Sequence, residues 1–157
     1  MKQFTLFRDG SLYKGNLHTH TTVSDGRYSP QETVERYKKN GYAFLGITDH
    51  AHYGYYPEFE TEDFLSIPAA EIHTRHGAKW WHHLIVFGDP ETTKIPNHTT
   101  LGDRAHAHLT LQELVDGMRE RNNLVIYNHP YWSRTDICDI VDLKNIVGME
   151  IYNHNCE

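Results

Sequence analysis

Residues 43–50 read Ala-Phe-Leu-Gly-Ile-Thr-Asp-His, an apolar run that ends in two ionisable side chains. A run of this length and composition predicts a short buried strand. Two further predicted strands end in a similar way: the strand from Ser66 to Ile72 carries Glu71 at its end, and residues 124–127 are followed by Asn128-His129-Pro130. Because helical patterns alternate with these strands, we predict an α/β fold of β-α-β units with a largely parallel sheet. In such folds the functional side chains gather at the carboxyl ends of the strands.

Two segments carry the start signals of amphipathic helices. Ser29 fits an N-cap, Pro30 the first helical position and Glu32 the third position of a capping box. Thr110 and Glu113 repeat this box farther along the chain. The second helix presents an apolar face whose residues recur at helical spacing, namely Leu111, Leu114, Val115 and Met118. Both helices are therefore predicted from local signals.

Length and composition restrict the class of protein. The chain has 157 residues and a mass of 18.3 kDa, so we expect residues 1–157 to form a single domain. Two cysteines, Cys138 and Cys156, are too few for a disulfide framework or a cysteine-rich zinc module. No apolar stretch approaches the roughly 18 residues of a membrane span. The N-terminus has no apolar signal region, so we expect a cytoplasmic protein with no membrane partner.

Charge and histidine content favour a metal site over a nucleic-acid surface. The net charge is −6 with neutral histidines, whereas a general nucleic-acid binder carries a basic face. Duplex nucleic acid is therefore not expected as a partner. The chain contains 13 histidines and 21 acidic residues, and imidazoles with carboxylates are typical ligands of a metal centre.

The most direct candidate ligands are His18 and His20. Side chains two residues apart on a strand point to the same face and are separated by about 6.6 Å, which is within reach of one cation. Asp25 offers a carboxylate five residues later. In a histidine-rich chain this spacing also arises by coincidence. A second such pair, His106 and His108, occurs in a polar loop, where we expect no function.

Other candidate ligands stand next to the predicted strands, namely His50, Glu71, His83 and His129. Structural alternatives exist: His50 begins a loop, Glu71 suits an exposed rim, and His129 suits a core histidine. His83 differs because it opens its predicted strand. Donors at several separate strand ends are hard to ascribe to chance, so we predict that they meet around shared cations.

A series of motifs follows along the chain. They are Asn16-Leu-His-Thr-His-Thr-Thr-Val-Ser-Asp-Gly26, Ile47-Thr-Asp-His50, Glu71, His83-Leu-Ile-Val-Phe-Gly88, Asn128-His-Pro130 and Gly148-Met-Glu-Ile-Tyr-Asn153. In this order they resemble the motifs of the polymerase and histidinol phosphatase (PHP) family, over residues 13–153. The resemblance implies a distorted (β/α)7 barrel, with two or three divalent metal ions at its carboxyl rim, that hydrolyses phosphoesters.

The resemblance also assigns ligands to each metal ion. It implies that His18 and His20 hold the first ion and that Glu71 bridges this ion to the second. The second ion would be completed by His83 and His129, and a third would be held by Asp25 and His50. Imidazole and carboxylate donors without thiolate suit Zn, Mn or Fe and do not distinguish among them.

One motif of the family, a D-x-H near the C-terminus, does not occur downstream of His129. We therefore expect a partial barrel that is incomplete at the C-terminus, with an N-terminal hairpin around Asp9-Gly10. His154 is a candidate substitute for a missing ligand. An unfinished sheet exposes an edge, which favours self-association or pairing with a complementing C-terminal segment.

The expected function is that of a metal-dependent phosphoesterase acting on a small phosphorylated metabolite or nucleotide through a hydroxide that bridges two metal ions. The candidate catalytic residues are the metal-bridging Glu71, the general-acid candidate His52 and Arg134. Arg75 and Arg134 are candidate substrate-binding cations, because they follow Glu71 and His129 closely in the sequence. Two alternatives stay open: a catalytically incomplete metal-binding or regulatory module, and a metal-dependent hydrolase of a non-phosphate ester or amide.

Overall fold

The computed structural model describes residues 10–76, 80–102 and 109–154, except for the side chains at positions 75, 76, 80 and 81. The strands in these ranges are β1 (Gly15–Asn16), β2 (Phe44–Gly46), β3 (His52–Tyr53), β4 (Leu65–Ile67), β5 (Ala69–His76), β6 (Trp80–Gly88), β7 (Thr99–Thr100), β8 (Asn123–Tyr127) and β9 (Gly148–Met149). The helices are α1 (Pro30–Lys39), α2 (Leu111–Glu120) and α3 (Ile137–Ile140), and a 3-10 helix covers Pro57–Phe59.

The described strands form three sheets. The first contains β1, β2 and β4, which are all parallel. The second has the order β5-β6-β8-β9 and is mixed, because β6 is antiparallel to both β5 and β8 whereas β9 is parallel to β8. A short antiparallel ladder joins β3 to β7. The α/β class is thus confirmed, but the largely parallel sheet is only partly correct.

Chain length explains why β5 and β6 are antiparallel. Only residues 77–79 lie between the two strands, whereas a parallel crossover needs about a dozen residues or more. β6 also begins at Trp80, so His83 lies within the strand instead of opening it. Our prediction of the start of this strand is therefore wrong by three residues (83 against 80).

Pro68 divides a segment that we predicted as one strand, from Ser66 to Ile72. Proline has no amide hydrogen to donate to a ladder, and the chain changes partners at this residue. Before Pro68, β4 pairs with β2, and after it β5 pairs with β6. The Pro68 carbonyl accepts a hydrogen bond from the Gly88 amide at 2.9 Å. The break places Glu71 at the junction of the first and second sheets.

The two predicted helices are confirmed, and each covers one sheet. Both capping boxes form, with Ser29 and Glu32 in α1 and Thr110 and Glu113 in α2. The apolar face of α2 packs in the larger core with Ile72, Leu84, Val86, Val125 and Tyr127 from the mixed sheet. A smaller core under α1 contains Val34, Leu45, Ile47, Tyr56 and Phe64. The strand ends that carry His50 and Glu71 are joined by an isolated parallel bridge.

Several expectations about the wider architecture have a mixed outcome. The strands described here do not close into a barrel, so the predicted (β/α)7 barrel is not confirmed. The predicted hairpin around Asp9 lies largely outside the described residues, as does the second histidine pair, His106 and His108. None of the described helices has the length and apolar character needed to cross a membrane.

We predict that Leu114→Ala destabilises the fold by about 2–5 kcal/mol, because its side chain is fully buried between α2 and the mixed sheet. Leu124→Ala is the matched control. Leu124 lies on β8 with half of its surface exposed, so its truncation should cost less than about 1 kcal/mol. Urea denaturation measures both values, and equal losses would show that α2 does not cover the main core.

Candidate metal centre

The carboxylate of Glu71 is the centre of a cluster of imidazoles. Glu71 lies in β5 and is only 1% exposed. Its Oε1 atom lies 3.0 Å from Nδ1 of His83 and 3.0 Å from Nε2 of His129. Its Oε2 atom lies 3.1 Å from Nε2 of His20, 3.3 Å from Nδ1 of His50 and 3.5 Å from Nε2 of His18. Five imidazoles therefore contact one buried carboxylate.

These side chains come from several strands whose pairing brings them to one place. His18 and His20 follow β1, and His50 follows the neighbouring β2. An isolated parallel bridge joins His50 to Glu71 and so links the two larger sheets at the site. His83 lies in β6 and His129 follows β8, which is the next strand of the mixed sheet. The sheet order thus produces the convergence that the sequence suggested.

Asp25 stands on the open side of the cluster. Its Oδ1 atom lies 3.2 Å from Nδ1 of His20, and its Oδ2 atom lies 3.6 Å from Nε2 of His50. The Asp25 side chain is 67% exposed, in contrast to Glu71. It completes a second group of donors with His20 and His50.

The loop that carries Asp25 is anchored by the buried carboxylate of Asp49. This carboxylate accepts hydrogen bonds from the Thr21 amide at 2.7 Å, from the Thr21 hydroxyl at 2.6 Å and from the Ser24 hydroxyl at 2.7 Å. Asp49 is fully buried, so these three bonds satisfy a charge that would otherwise be costly. Asp49 therefore fixes the loop, whereas the adjacent His50 faces the cluster.

Mutual contacts shift the pKa values inside the cluster. Burial alone would raise the pKa of Glu71, but hydrogen bonds with His129, His18, His20 and His83 hold it far below its usual range. Burial alone would lower the pKa of His18, but its bonds to Glu150 and Glu71 outweigh burial and raise the pKa to about 9. Burial lowers the pKa of His50, although the charge of Glu71 opposes this shift.

The donor set fits divalent transition-metal ions. Four overlapping groups have their ligand atoms within 4.8 Å of one another: His18, His20 and Glu71; His50, Glu71 and His83; His20, Asp25 and His50; His18, His129 and Glu150. The buried Nδ1 atom of His50 faces Oε2 of Glu71 at 3.3 Å without making a hydrogen bond, and the buried Nδ1 atom of His129 has no hydrogen-bond partner among the described residues. Buried polar atoms are normally satisfied, so ring nitrogens in this state are consistent with a site built for cations.

An open cavity of about 650 Å³ lies over the cluster. One wall is formed by the imidazole cluster around Glu71. Another contains Arg27, Tyr28 and Arg36, which sequence analysis did not identify as candidates. The Arg36 guanidinium lies 3.7 Å from the centroid of the Tyr28 ring, within range of a cation–π contact. No sequence signal marked these residues, because their approach to the site depends on how α1 is placed over the first sheet.

All seven predicted metal ligands lie around this cavity, as the positions of His18, His20, Asp25, His50, Glu71, His83 and His129 show. Two further residues join them. Asn128 donates to Oε1 of Glu71 at 2.9 Å, and Glu150 contacts His18 at 2.9 Å. Both residues lie in motifs that were noted in the sequence, but no role was predicted for either of them. Metal binding by the seven residues stays a prediction.

Three other predicted residues do not line this cavity. His52 pairs with His98, with 3.3 Å between Nε2 and Nδ1. Arg134 is exposed after β8 and does not line the cavity. His154 is also exposed, with its Nδ1 atom 3.4 Å from the Tyr152 hydroxyl. The side chain of Arg75 lies outside the described part of the chain. The roles of these residues stay predictions.

Two curated proteins share local sequence similarity with the chain. The DNA polymerase/3′-5′ exonuclease PolX of Bacillus subtilis is 42% identical over 59 residues, which cover 38% of this chain and 10% of PolX. An uncharacterized protein of Methanocaldococcus jannaschii is 35% identical over 81 residues, which cover 52% of this chain and 34% of that protein. The matched segments therefore span about a tenth of the first relative and about a third of the second.

Two solved structures have a similar fold. A protein described as a "putative metal-dependent phosphoesterase" from Bifidobacterium adolescentis matches with a TM-score of 0.64 and 16% identity, covering 88% of this chain and 77% of that one. An amidohydrolase from Chromobacterium violaceum, solved with sulfate and without metal, matches with a TM-score of 0.62 and 14% identity, covering 87% of this chain and 76% of that one. At these identities the likeness concerns the fold alone.

The similarity is most extensive at the level of the family. The sequence model of the PHP domain matches residues 16–155, which include every residue of the imidazole cluster, Asp25 and Glu150. The motifs that suggested this family in the sequence are the same segments that meet around Glu71. The chain therefore belongs to the PHP domain family.

Proposed function

We propose that this protein is a metal-dependent phosphoesterase that acts on a small phosphorylated metabolite or nucleotide. Membership of the PHP domain family supports a metal-dependent hydrolase. The single observation that carries the proposal is the buried carboxylate of Glu71 among five imidazoles, all within 3.5 Å of it. The stability of the fold does not require so many titratable groups in one buried cluster. Such a cluster suits the binding of cations that act on an anionic substrate.

The two oxygens of Glu71 support a bridging role. Oε1 faces His83 and His129, whereas Oε2 faces His18, His20 and His50. Each oxygen therefore has its own set of nitrogen donors, as expected for a carboxylate shared between two ions. Asp25, with His20 and His50, provides the donors for a third ion.

The chemistry follows from these donors. Two or three divalent ions would lower the pKa of a water molecule and neutralise the phosphoryl oxygens. The residues of the chain hold and space those ions, and Asp49 keeps the loop of Asp25 in place through its bonds to Thr21 and Ser24. We propose Zn, Mn or Fe, because the donors are nitrogen and oxygen without thiolate.

The cavity supports a small anionic substrate. Its volume of about 650 Å³ suits a small molecule or a single nucleotide. Arg27 and Arg36 place cationic side chains on the wall next to the cluster, and Tyr28 lies between them with both guanidinium groups near its ring. These cations are better placed for a substrate than Arg134, which lies outside the cavity lining. A phosphate at the cluster would leave the rest of the substrate facing this wall.

The proposed activity is tested with a substrate panel. The metal-loaded protein is offered phosphomonoesters, phosphodiesters, simple amides and lactones, and product release is measured for each class. We expect turnover of phosphoesters only. Turnover of amides or lactones alone would favour the non-phosphate hydrolase, and metal content without any turnover would favour the regulatory module.

Self-association, also predicted from the sequence, is measured separately by sedimentation.

We predict that the protein reconstituted with Mn²⁺ or Zn²⁺ carries more than one ion per chain and that Glu71→Gln loses the shared site. The neutral amide cannot bridge two cations with two anionic oxygens, so the bound metal should fall to about one ion or fewer and hydrolysis to background. Elemental analysis measures the metal content. Glu62→Gln, at an exposed turn position, is the control and should behave like the wild type. Equal metal content in both variants would contradict the bridging role.

We predict that Arg36→Gln raises KM for the best phosphoester of the panel by about three- to tenfold and changes kcat little. Arg36 lines the cavity from α1 but is exposed, so its charge should contribute to binding more than to the chemical step. Lys39→Gln removes a charge from the same helix at an exposed position outside the cavity lining. Steady-state kinetics distinguish the two variants, and matching KM values would show that the Arg36 wall does not contact substrate.

A further inference from the structure

The carboxylate of Glu150 contacts two different members of the cluster. Its Oε1 atom lies 2.9 Å from Nδ1 of His18, and its Oε2 atom accepts the backbone amide of His129 at 3.0 Å. The Glu150 side chain is 16% exposed. We propose that Glu150 is a positioning residue that fixes His18 and His129 together in a metal-binding arrangement. This inference rests on the proposed function, since it assumes that the cluster holds metal ions.

Glu150 is itself held in place. It directly follows β9, and its amide donates to the carbonyl of Tyr127 at 2.8 Å, which extends the parallel ladder between β8 and β9. The side-chain amide of Asn153 donates to Oε1 of Glu150 at 3.1 Å. Because Tyr127 lies two residues before His129, the same strand end positions both the carboxylate and one of its partners.

The contact with His18 determines which ring nitrogen is available. An ionised carboxylate only accepts hydrogen bonds, so Nδ1 of His18 carries a proton. When His18 binds a metal ion as a neutral ring, the lone pair of Nε2 is the one available to the ion, and Nε2 lies 3.1 Å from Nε2 of His20 and 3.5 Å from Oε2 of Glu71. A carboxylate behind a metal-binding imidazole fixes its tautomer and orientation in this way and raises its basicity.

The contact with His129 supports an unusual backbone conformation. His129 has a φ of 20°, which residues with a side chain rarely adopt, and it precedes Pro130. Oε2 of Glu150 accepts the amide of His129 and so stabilises this turn. In the same conformation Nε2 of His129 lies 3.0 Å from Oε1 of Glu71. Glu150 therefore controls a ring on one side of the cluster and a backbone turn on the other.

Glu150→Gln is an isosteric test of this double contact. The two partners of Glu150 within the cluster, the ring nitrogen of His18 and the amide of His129, require an acceptor, as does the side-chain amide of Asn153. A glutamine offers one acceptor and one donor, so it satisfies one partner and opposes the other. We expect the affinity for Zn²⁺ to fall about 10–100-fold while the number of bound ions stays the same. Calorimetric titration of the metal-free protein with Zn²⁺ measures both quantities, and Glu120→Gln, at the exposed end of α2, is the control.

A spectroscopic measurement tests the tautomer directly. Nitrogen NMR of isotope-labelled, Zn²⁺-loaded wild-type protein should show His18 protonated at Nδ1 and metal-bound at Nε2. In Glu150→Gln the fixed Nδ1 proton should be lost or exchange rapidly. A wild-type His18 protonated at Nε2 would overturn the proposal, and this result needs no variant to fold.

The outcomes separate this inference from the proposed function. Equal Zn²⁺ affinity in the wild type and Glu150→Gln overturns the positioning role and leaves the activity of the wild type unaffected. Loss of one complete ion in Glu150→Gln overturns it as well, because Glu150 would then be a direct ligand. Weakened Zn²⁺ binding in Glu150→Gln, with a wild type that hydrolyses no phosphoester, supports the positioning role and contradicts the proposed function.

Discussion

The burial of the negative charge on Glu71 is the constraint on which the rest of the site depends. Transferring an ionised carboxylate from water to the protein interior costs roughly several kcal/mol unless compensating groups surround it. Here compensation comes from five imidazoles and the side-chain amide of Asn128, all within 3.5 Å. A full set of protonated imidazoles would repel one another at these distances. In the proposed function, cations shared between the carboxylate and neutral imidazoles would satisfy both requirements at once.

The fold meets this constraint by joining two sheets at Glu71. Pro68 ends the pairing of β4 with β2, and the chain then enters the mixed sheet as β5. The bridge between His50 and Glu71 keeps the ends of both sheets in contact. Ala69 and Ala70 are fully buried beside this junction, and Ala70 packs in the larger core. The imidazole cluster around Glu71 therefore forms at the place where the two sheets meet.

Much of the site was predictable because its signals are local. Capping boxes, apolar runs and the ionisable residues that follow them are read from a few neighbouring positions, and the two helices and the clustered residues agree with those signals. Contacts between segments that are far apart in the sequence could not be predicted in this way. The direction of β6 depends on the short link after β5, and the start of β6 at Trp80 moves His83 into the strand interior. Arg36 and Glu150 reach the cavity and the cluster only because of the way separate elements pack.

The two walls of the cavity differ in how firmly they are held, and this difference bears on specificity. The wall around Glu71 is largely buried: Asp49 and Glu150 accept hydrogen bonds from its backbone amides, and Asn128 donates one to Glu71. The opposite wall depends on the exposed side chains of Arg27 and Arg36 around Tyr28. Buried, mutually bonded groups tolerate little change, whereas exposed residues on a loop and a helix face change at small cost to stability. In the proposed function, the wall around Tyr28 can therefore vary with the substrate at small cost to stability, whereas the cluster around Glu71 cannot.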